Sequence, residues 1–201
     1  KIIANQENLG FGRANNQGAK IARGEWLFFV NSDTIVETDI LAILEDFSHK
    51  YPDSDIIAPK LLDARKLPQA EAFGKMPKLS QIIKKNITAT NQIAADIDWV
   101  SGAALLIKRE LFEKIGGWDE KFFMYLEDTD LCLRVKKNGG KIRICETAPI
   151  VHLGGQSFVD NKIKRKYYFQ SQNYFFRKHY GVCMTLLMRF IRWPYKLWVL
   201  R

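Results

Sequence analysis

The sequence of 201 residues has only three cysteines, no secretory leader and no long apolar run free of charges. Cys132, Cys145 and Cys183 are odd in number and lack the spacing of a metal site, which favours a reduced, cytosolic setting. The shortness of the apolar runs argues against a membrane-spanning helix, and the missing leader argues against export. We therefore expect a cytosolic protein.

Acidic residues are absent from residues 161–201, which contain ten Lys or Arg. Residues 1–160 hold the other 21 basic and all 22 acidic residues, so the net charge of +9 arises entirely in the tail. Because 47% of the residues are apolar, the chain can form a substantial core. We predict one main domain over residues 1–160, followed by a basic tail.

One stretch joins an aromatic run to three carboxylates, those of Glu127, Asp128 and Asp130. A helical pattern follows and ends at Asn138-Gly139-Gly140. In one interpretation the acids favour a helix N-terminus, and Asp130 pairs with Arg134 one turn later. In the other, a carboxylate beside aromatic walls is a general base. The spacing alone favours neither interpretation.

A second polar group, Asn31-Ser32-Asp33, follows the apolar run Glu25–Val30, which predicts a strand covered on both faces. Ligands of open α/β sheets bind beyond the carboxyl ends of strands. Asp33 is therefore predicted to hold a divalent cation, with a capping turn as the alternative. His152, which precedes Gly154-Gly155, is a candidate for the same metal, although a lone histidine is more often structural.

The other patterns predict an α/β arrangement. Gly10 and Gly12, with Arg13, suit a phosphate-binding turn or an ordinary strand-to-helix turn. Trp99 either stacks on a sugar or belongs to the core. The predicted elements are strands at 1–5, 55–59, 98–107 and 141–145, a helix capped by Thr38 with Ile40, Leu41, Leu44 and Phe47 on one face, a helix at 108–115, and an irregular excursion at 62–95.

The tail interleaves bases and aromatic residues in two segments, Lys162–His179 and Gly181–Arg201. Basic, aromatic amphipathic helices commonly lie on anionic membrane surfaces. The alternative is a helix packed on the domain. Nucleic-acid binding is the weaker alternative, because no recognised nucleic-acid motif accompanies the charge.

Taken in order, these motifs closely resemble those of the family 2 glycosyltransferases, in particular the bacterial rhamnosyltransferase-like branch. The matching segments are Asn8-Leu9-Gly10-Phe11-Gly12-Arg13 with Asn16 and Gly18, Asn31-Ser32-Asp33, Trp99-Val100-Ser101-Gly102-Ala103, Gly116-Gly117-Trp118-Asp119-Glu120, Glu127-Asp128-Thr129-Asp130-Leu131-Cys132-Leu133-Arg134 and His152-Leu153-Gly154-Gly155.

The resemblance implies a GT-A fold, which is a Rossmann-like α/β mixed sheet with helices on both faces, here with a C-terminal helical tail. It also implies a nucleotide-diphosphate sugar donor, Mg²⁺ or Mn²⁺, and inversion at the anomeric carbon. The implied roles are Asp128 as general base with Glu127 orienting the acceptor, Asp33 and His152 at the metal, and Arg13, Asn16, Asn31, Ser32 and Asp33 along the nucleotide sugar. We also expect Asn8 along the nucleotide sugar, and Trp99 and Gly102 at the acceptor.

The expected function is sugar transfer to a saccharide or lipid-linked acceptor in cell-surface polysaccharide assembly, at the inner face of the membrane. Family members normally start with two strands that hold part of the nucleotide, and this sequence begins after both. The alternative is therefore a non-catalytic binding or scaffold module at the membrane surface.

Overall fold

The structure, a computed structural model, describes residues 1–70, 72–76, 97–154 and 161–199, with only the backbone of residues 161 and 194–199. Its elements are α1 (Phe11–Ile21), β1 (Trp26–Val30), β2 (Thr34–Ile35), α2 (Ile40–Lys50), β3 (Ile56–Leu62), β4 (Phe73–Gly74), β5 (Trp99–Val100), β6 (Ala104–Lys108), α3 (Arg109–Lys114), α4 (Glu127–Lys137), β7 (Ile142–His152) and α5 (Asn161–Val199).

A five-stranded mixed sheet with the order β1-β6-β3-β7-β2 forms the centre of the molecule. Strands β3 and β7 are parallel, and the other neighbouring pairs are antiparallel. Strands β4 and β5 form a separate two-stranded sheet. The predicted α/β mixed sheet is confirmed.

Helices cover both faces of this sheet, as predicted. Leu105 and Ile107 of β6 pack with residues of α3 and α4 in one buried cluster. Ala104 and Leu106, which alternate with them, pack with α2 in a second cluster. This alternation follows from the two-residue period of a strand. The apolar composition of the central strands is thereby explained, because both of their faces are buried.

Two details of the N-terminal half were predicted wrongly. Residues 1–5 do not form a strand, and Ile2 and Ile3 are exposed. Among the described residues no strand lies beside this segment, and an extended segment without a hydrogen-bonding neighbour is not a strand. The cap of α2 is Asp39, whose Oδ1 accepts a hydrogen bond from Ala42 N (3.2 Å), rather than Thr38.

The predicted apolar face of α2 also included a residue that is exposed. Ile40 and Leu44 are buried, but Leu41 is 60% exposed. Residues one position apart on a helix point about 100° away from each other, so Leu41 cannot share the buried direction of Ile40.

The predicted strand over 98–107 is two strands in different sheets. Strand β5 pairs with β4, whereas β6 pairs with β1 and β3. Ser101 N donates to Ala72 O (2.8 Å) where the chain passes from one sheet to the other. The strand predicted at 141–145 extends to His152 with a register shift opposite Pro59 and Lys60. Of the predicted excursion over 62–95, residues 71 and 77–95 lie outside the described residues.

The tail forms α5, which Gly181 divides into a first arm, residues 161–180, and a second arm, residues 182–199. Gly181 has φ 82° and ψ 179°, a conformation accessible to glycine almost alone. The second arm folds back onto the first. The Arg192 guanidinium contacts Gln172 and Asn173 and lies 4.8 Å from the Phe169 ring centroid. No helix in the described ranges is both long and apolar enough to cross a membrane.

Candidate active site

The carboxylate of Asp128 is fixed by three hydrogen bonds at the start of α4. Its Oδ2 accepts from Gly102 N (3.0 Å), and its Oδ1 accepts from the backbone N (2.7 Å) and Oγ1 (3.3 Å) of Thr129. The side chain of Asp128 is only partly buried. An oriented carboxylate that keeps some exposure can meet a substrate hydroxyl.

Glu127, the neighbour of Asp128, lies in a different environment. The residue is 8% exposed, and its Oε2 is buried without a hydrogen-bond partner among the described residues. Burial, followed by the charge of Asp128, raises the pKa of Glu127 to about 8. Burial also raises the pKa of Asp128, while the hydrogen bonds from Gly102 and Thr129 oppose that rise. At neutral pH the proton of this pair therefore resides on Glu127.

A Glu127→Gln variant should be more stable than the wild type at pH 8. A carboxyl whose pKa is raised on folding loses stability as the pH rises from its unfolded value, near 4.5, to its folded value, about 8. The variant lacks this loss, so its advantage in the free energy of unfolding should grow between about pH 5 and 8, reaching roughly 1–3 kcal/mol. The exposed Glu113→Gln is the matched control, and an advantage independent of pH would contradict the assignment.

The backbone before these acids has an unusual conformation that the first arm of α5 supports. Tyr125 and Leu126 have φ values of 70° and 66°. Ser171 Oγ of the arm donates to Met124 O at 2.6 Å. Two aromatic pairs join the arm to the same loop: Phe123 with Tyr167 at 4.8 Å and Tyr125 with Tyr168 at 5.9 Å between ring centroids. Left-handed backbone in non-glycine residues persists only where its surroundings enforce it.

Asp130 is fully buried and accepts from three cationic or polar side chains. Arg134 Nε lies 2.8 Å from Oδ2, while His179 Nε2 at 2.7 Å and Lys178 Nζ at 2.6 Å contact Oδ1. Burial disfavours the charge, but the bond from His179 and the charges of Arg134 and Lys178 hold the pKa of Asp130 at about 2. The predicted pairing with Arg134 is confirmed, and Asp130 is a structural carboxylate.

Asp33 and His152, predicted to share a metal, lie together in the structure. Strand β2 pairs with the end of β7 so that Thr34 is opposite His152, and Leu153 N donates to Asp33 O (2.9 Å). His152 Nε2 is consequently 3.3 Å from Asp33 Oδ1, and both side chains are mostly buried. The strand pairing thus joins two residues that are far apart in the sequence.

The geometry around His152 is suited to a cation. Its Nδ1 lies 3.1 Å from Gln69 Oε1, which can accept a proton from it, and in that tautomer Nε2 offers its lone pair to a cation. A metal-binding histidine commonly has such a partner on its second nitrogen. The described residues contain no group of three or more His, Cys, Asp or Glu that could enclose a metal. Two protein ligands suit a cation that a phosphate ligand completes.

The short segment Gly102-Ala103 contacts both Asp128 and the Asn31-Ser32-Asp33 turn. Gly102 N donates to Asp128, and Ala103 O accepts from Asn31 N (2.9 Å). Gly102 was predicted to lie at the acceptor, and in the structure its backbone N contacts the carboxylate of Asp128. A Cβ there would lie 3.3 Å from the Phe11 ring and 3.4 Å from Asp128 Cβ, so a larger residue would crowd the carboxylate.

The Gly-rich segment makes close contact with the loop before α4. Gly10 has φ 82°, and a Cβ at this position would be 2.8 Å from Phe123 O. Asn16 exchanges two hydrogen bonds with the backbone of Trp118, each 2.9 Å long. These contacts alone explain why glycines and an asparagine stand here.

The remaining predicted residues make ordinary local contacts, and their roles toward substrates stay predictions. Asn8 Oδ1 accepts from Gly10 N (2.9 Å), and Arg13 forms an exposed ion pair with Glu120 (3.3 Å). Trp99 packs on the first core cluster and against Gly74. Sequence reasoning missed Gln69, Ser171, Lys178 and His179, because each contacts the site from far along the chain and no motif marks them.

Residues 3–149 match the family model described as "Glycosyltransferase like family 2". Because the match spans more than half of the chain, the protein belongs to this family. Searches of solved structures support the GT-A fold. The mannosyltransferase PcManGT from Pyrobaculum calidifontis, in complex with GDP-Man and Mn²⁺, aligns with a TM-score of 0.54 at 14% identity, covering 87% of this chain and 44% of that one.

GalNAc-T7 with UDP, GalNAc and Mn²⁺ aligns with a TM-score of 0.53 at 17% identity, over 76% of this chain and 32% of that one. Among sequences, the Mycobacterium tuberculosis N-acetylglucosaminyl-diphospho-decaprenol L-rhamnosyltransferase is 26% identical over 178 residues, 76% of this chain and 58% of that protein. Rhamnosyltransferase WbbL of Escherichia coli is 27% identical over 161 residues, 71% of this chain and 60% of that protein. The chain thus spans less than two thirds of these relatives.

Proposed function

We propose that the protein is an inverting glycosyltransferase that moves a sugar from a nucleotide-diphosphate donor to a saccharide or lipid-linked acceptor in cell-surface polysaccharide synthesis. The observation that carries this proposal is the arrangement at Gly102-Ala103. The carboxylate of Asp128, oriented by Gly102 and Thr129, lies at the same sheet end as the Asp33 and His152 pair. Transfer to an alcohol needs a base for the nucleophile and stabilisation for an anionic leaving group, and this end of the sheet offers both.

In the proposed reaction Asp128 removes the proton of the acceptor hydroxyl. The oxygen forms a bond to the anomeric carbon from the face opposite the diphosphate, the bond between that carbon and the diphosphate oxygen breaks, and the configuration inverts. The nucleoside diphosphate leaves with the electron pair, and the proton stays on Asp128. Glu127, protonated and without a partner for Oε2 within the described chain, has a hydrogen bond left to donate to the acceptor.

Asp33 and His152 are the residues that would hold Mg²⁺ or Mn²⁺. A bound cation would neutralise charge that develops on the departing diphosphate. The residues fit such an ion, because Gln69 orients the imidazole and Asp33 presents Oδ1 toward the same point. The Mn²⁺ in the two structural neighbours supports the use of a divalent cation.

We place the nucleotide along Asn8, Arg13, Asn16, Asn31 and Ser32, with the acceptor near Trp99 and Gly102. The ion pair of Arg13 with Glu120 is half exposed on both sides. Exposed ion pairs contribute little to stability, so Arg13 can exchange Glu120 for a phosphate at small cost. The side chain of Asn16 already binds the backbone of Trp118, so we expect Asn16 to contact a ligand through its own backbone.

Thermal unfolding with nucleotides and metal tests the donor site. Uridine, thymidine and guanosine diphosphates should be compared with and without Mn²⁺, and we expect one of them to raise the Tm by several degrees only with the metal. Asp33→Asn should abolish that shift, whereas the exposed Asp46→Asn should retain it. A shift that survives Asp33→Asn would exclude Asp33 as a metal ligand.

The alternative function is a scaffold that keeps the fold without the chemistry. It predicts no nucleotide-dependent shift with any of the three diphosphates, even with Mn²⁺.

We also propose a cytoplasmic location on the inner face of the membrane, which the basic tail supports through its attraction to anionic lipid. Nucleic-acid binding has no support beyond this charge.

A further inference from the structure

One face of the second arm of α5 exposes large apolar side chains in a continuous row. Val182, Leu186, Phe190 and Trp193 are 57%, 56%, 74% and 60% exposed. Their spacing of four, four and three residues places them on one side of a helix. We call these four residues the apolar stripe.

The side opposite the stripe holds the arm against the rest of the protein. Thr185 and Met188 are buried, and Met188 packs with Phe122, Phe175 and Phe176. The contacts of Arg192 with Gln172 and Asn173 hold the second arm against the first arm. The stripe therefore points outward on an anchored helix, and its exposure does not result from a loose chain end.

An exposed apolar row of this size marks an interaction surface, because large apolar patches on monomers are usually binding sites. Phenylalanine and tryptophan next to basic residues are typical of helices that lie in the membrane interface. Lys166, Arg177 and Arg189 are exposed on the two arms, and residues 161–201 contain no acid. The charge of the tail is thus complementary to an anionic lipid headgroup layer.

The same charge disfavours a second copy of this chain as the occupant. Two tails docked stripe to stripe would bring two sets of ten bases together with no acid in either. Like charges at that density repel, and no carboxylate in the tail offsets the repulsion. A bilayer containing anionic lipid meets both the apolar and the electrostatic requirement.

We infer that the apolar stripe of the second arm inserts into the interface of an anionic bilayer, so that α5 docks the protein on the membrane. The docking itself does not depend on the proposed function, but its consequence for sugar transfer rests on it. The first arm joins the docked surface directly to the loop before Glu127 through Ser171, Tyr167 and Tyr168. Docking would hold the site beside the bilayer, where a lipid-linked acceptor would be within reach.

Co-sedimentation of the whole chain with phosphatidylglycerol vesicles tests the inference. We expect binding that weakens as salt rises and that is much weaker with phosphatidylcholine. Phe190→Ser with Trp193→Ser should weaken binding about tenfold or more, because both rings leave the lipid phase. The matched control is Val36→Ser with Leu41→Ser, two exposed apolar residues outside the tail, which should bind as the wild type does.

Three outcomes would overturn the inference: wild type that stays in the supernatant, a stripe variant that binds normally, or a self-associated wild type that the stripe variant converts to monomer without any lipid binding. The nucleotide-dependent Tm shift should be recorded on the same samples. If that shift persists while vesicle binding fails, only membrane docking is overturned. If vesicle binding persists without the shift, the docking stands and the glycosyl-transfer proposal fails.

Discussion

Replacing Asp128 with asparagine should lower the turnover number of sugar transfer by about 10²–10⁴-fold, the usual contribution of a general base. Asparagine has nearly the same shape, and its Oδ1 can still accept from Thr129. Its NH2 group would replace Oδ2 and cannot accept from Gly102 N, so the variant loses this hydrogen bond as well as the ability to take the acceptor proton. Because Asp33 and His152, the proposed metal ligands, are untouched, donor binding should change little.

The measurement is release of nucleoside diphosphate from a sugar donor built on whichever nucleotide stabilises the protein, with a membrane extract of the source organism as acceptor. The nucleotide-dependent Tm shift, recorded alongside, verifies that the donor site is intact. Near-normal turnover in Asp128→Asn would exclude Asp128 as the base.

Glu127→Gln provides the informative comparison. Glutamine resembles the protonated form that Glu127 adopts at neutral pH, and it can still donate a hydrogen bond. We therefore expect Glu127→Gln to retain clearly more activity than Asp128→Asn. A larger loss in Glu127→Gln would reverse the roles of the two acids.

Much of the fold was predictable because its signals are local. The apolar run before Asn31 predicts a buried strand, and the carboxylates before Leu131 predict a helix start. Where the outcome depended on a partner, prediction failed. Residues 1–5 have strand composition without a neighbouring strand among the described residues, and residues 98–107 divide between two sheets because two different partners are available.

The site divides in the same way. Asp128 and Asp33 are visible in the sequence because each directly adjoins an element with a clear pattern. His152 was a candidate, and the pairing of β2 with β7 explains why it reaches Asp33. Gln69 and His179 could not be predicted, since they approach His152 and Asp130 from 83 and 49 residues away along the chain. No sequence motif marks either residue, and each meets its partner only in the folded chain.

The tail shows how two interpretations of one pattern can each describe half of it. Its bases and aromatics were read either as a membrane surface or as a helix packed on the domain. In the first arm, Phe169, Phe175 and Phe176 are buried, and Lys178 and His179 bind Asp130. In the second arm, the apolar stripe is exposed. The reversal at Gly181 separates these two environments.

Removing the Asp130 carboxylate should have the largest effect on stability of any single substitution considered for this protein. In Asp130→Ala, the side chains of Arg134, Lys178 and His179 would face one another without the anion that now joins them. Breaking one side of a buried charge network usually costs several kcal/mol, so we expect a loss of about 3 kcal/mol or more in the free energy of unfolding by urea. Asp53→Asn, which affects only exposed ion pairs with Lys141 and Arg143, is the control and should change little.

The pH dependence of this effect distinguishes the lost charge from lost packing. The pKa of Asp130 is held at about 2, so its contribution is complete above the unfolded value, near 3.8, and disappears as the pH falls toward 2. The deficit of the isosteric Asp130→Asn relative to the wild type should therefore shrink below about pH 4. A deficit that is the same at pH 3 and pH 7 would mean that the loss of a hydrogen-bond acceptor, rather than the loss of charge, weakens the contact of α4 with the first arm. A deficit that shrinks would show that this charge network anchors the arm beside the loop before Glu127 and Asp128.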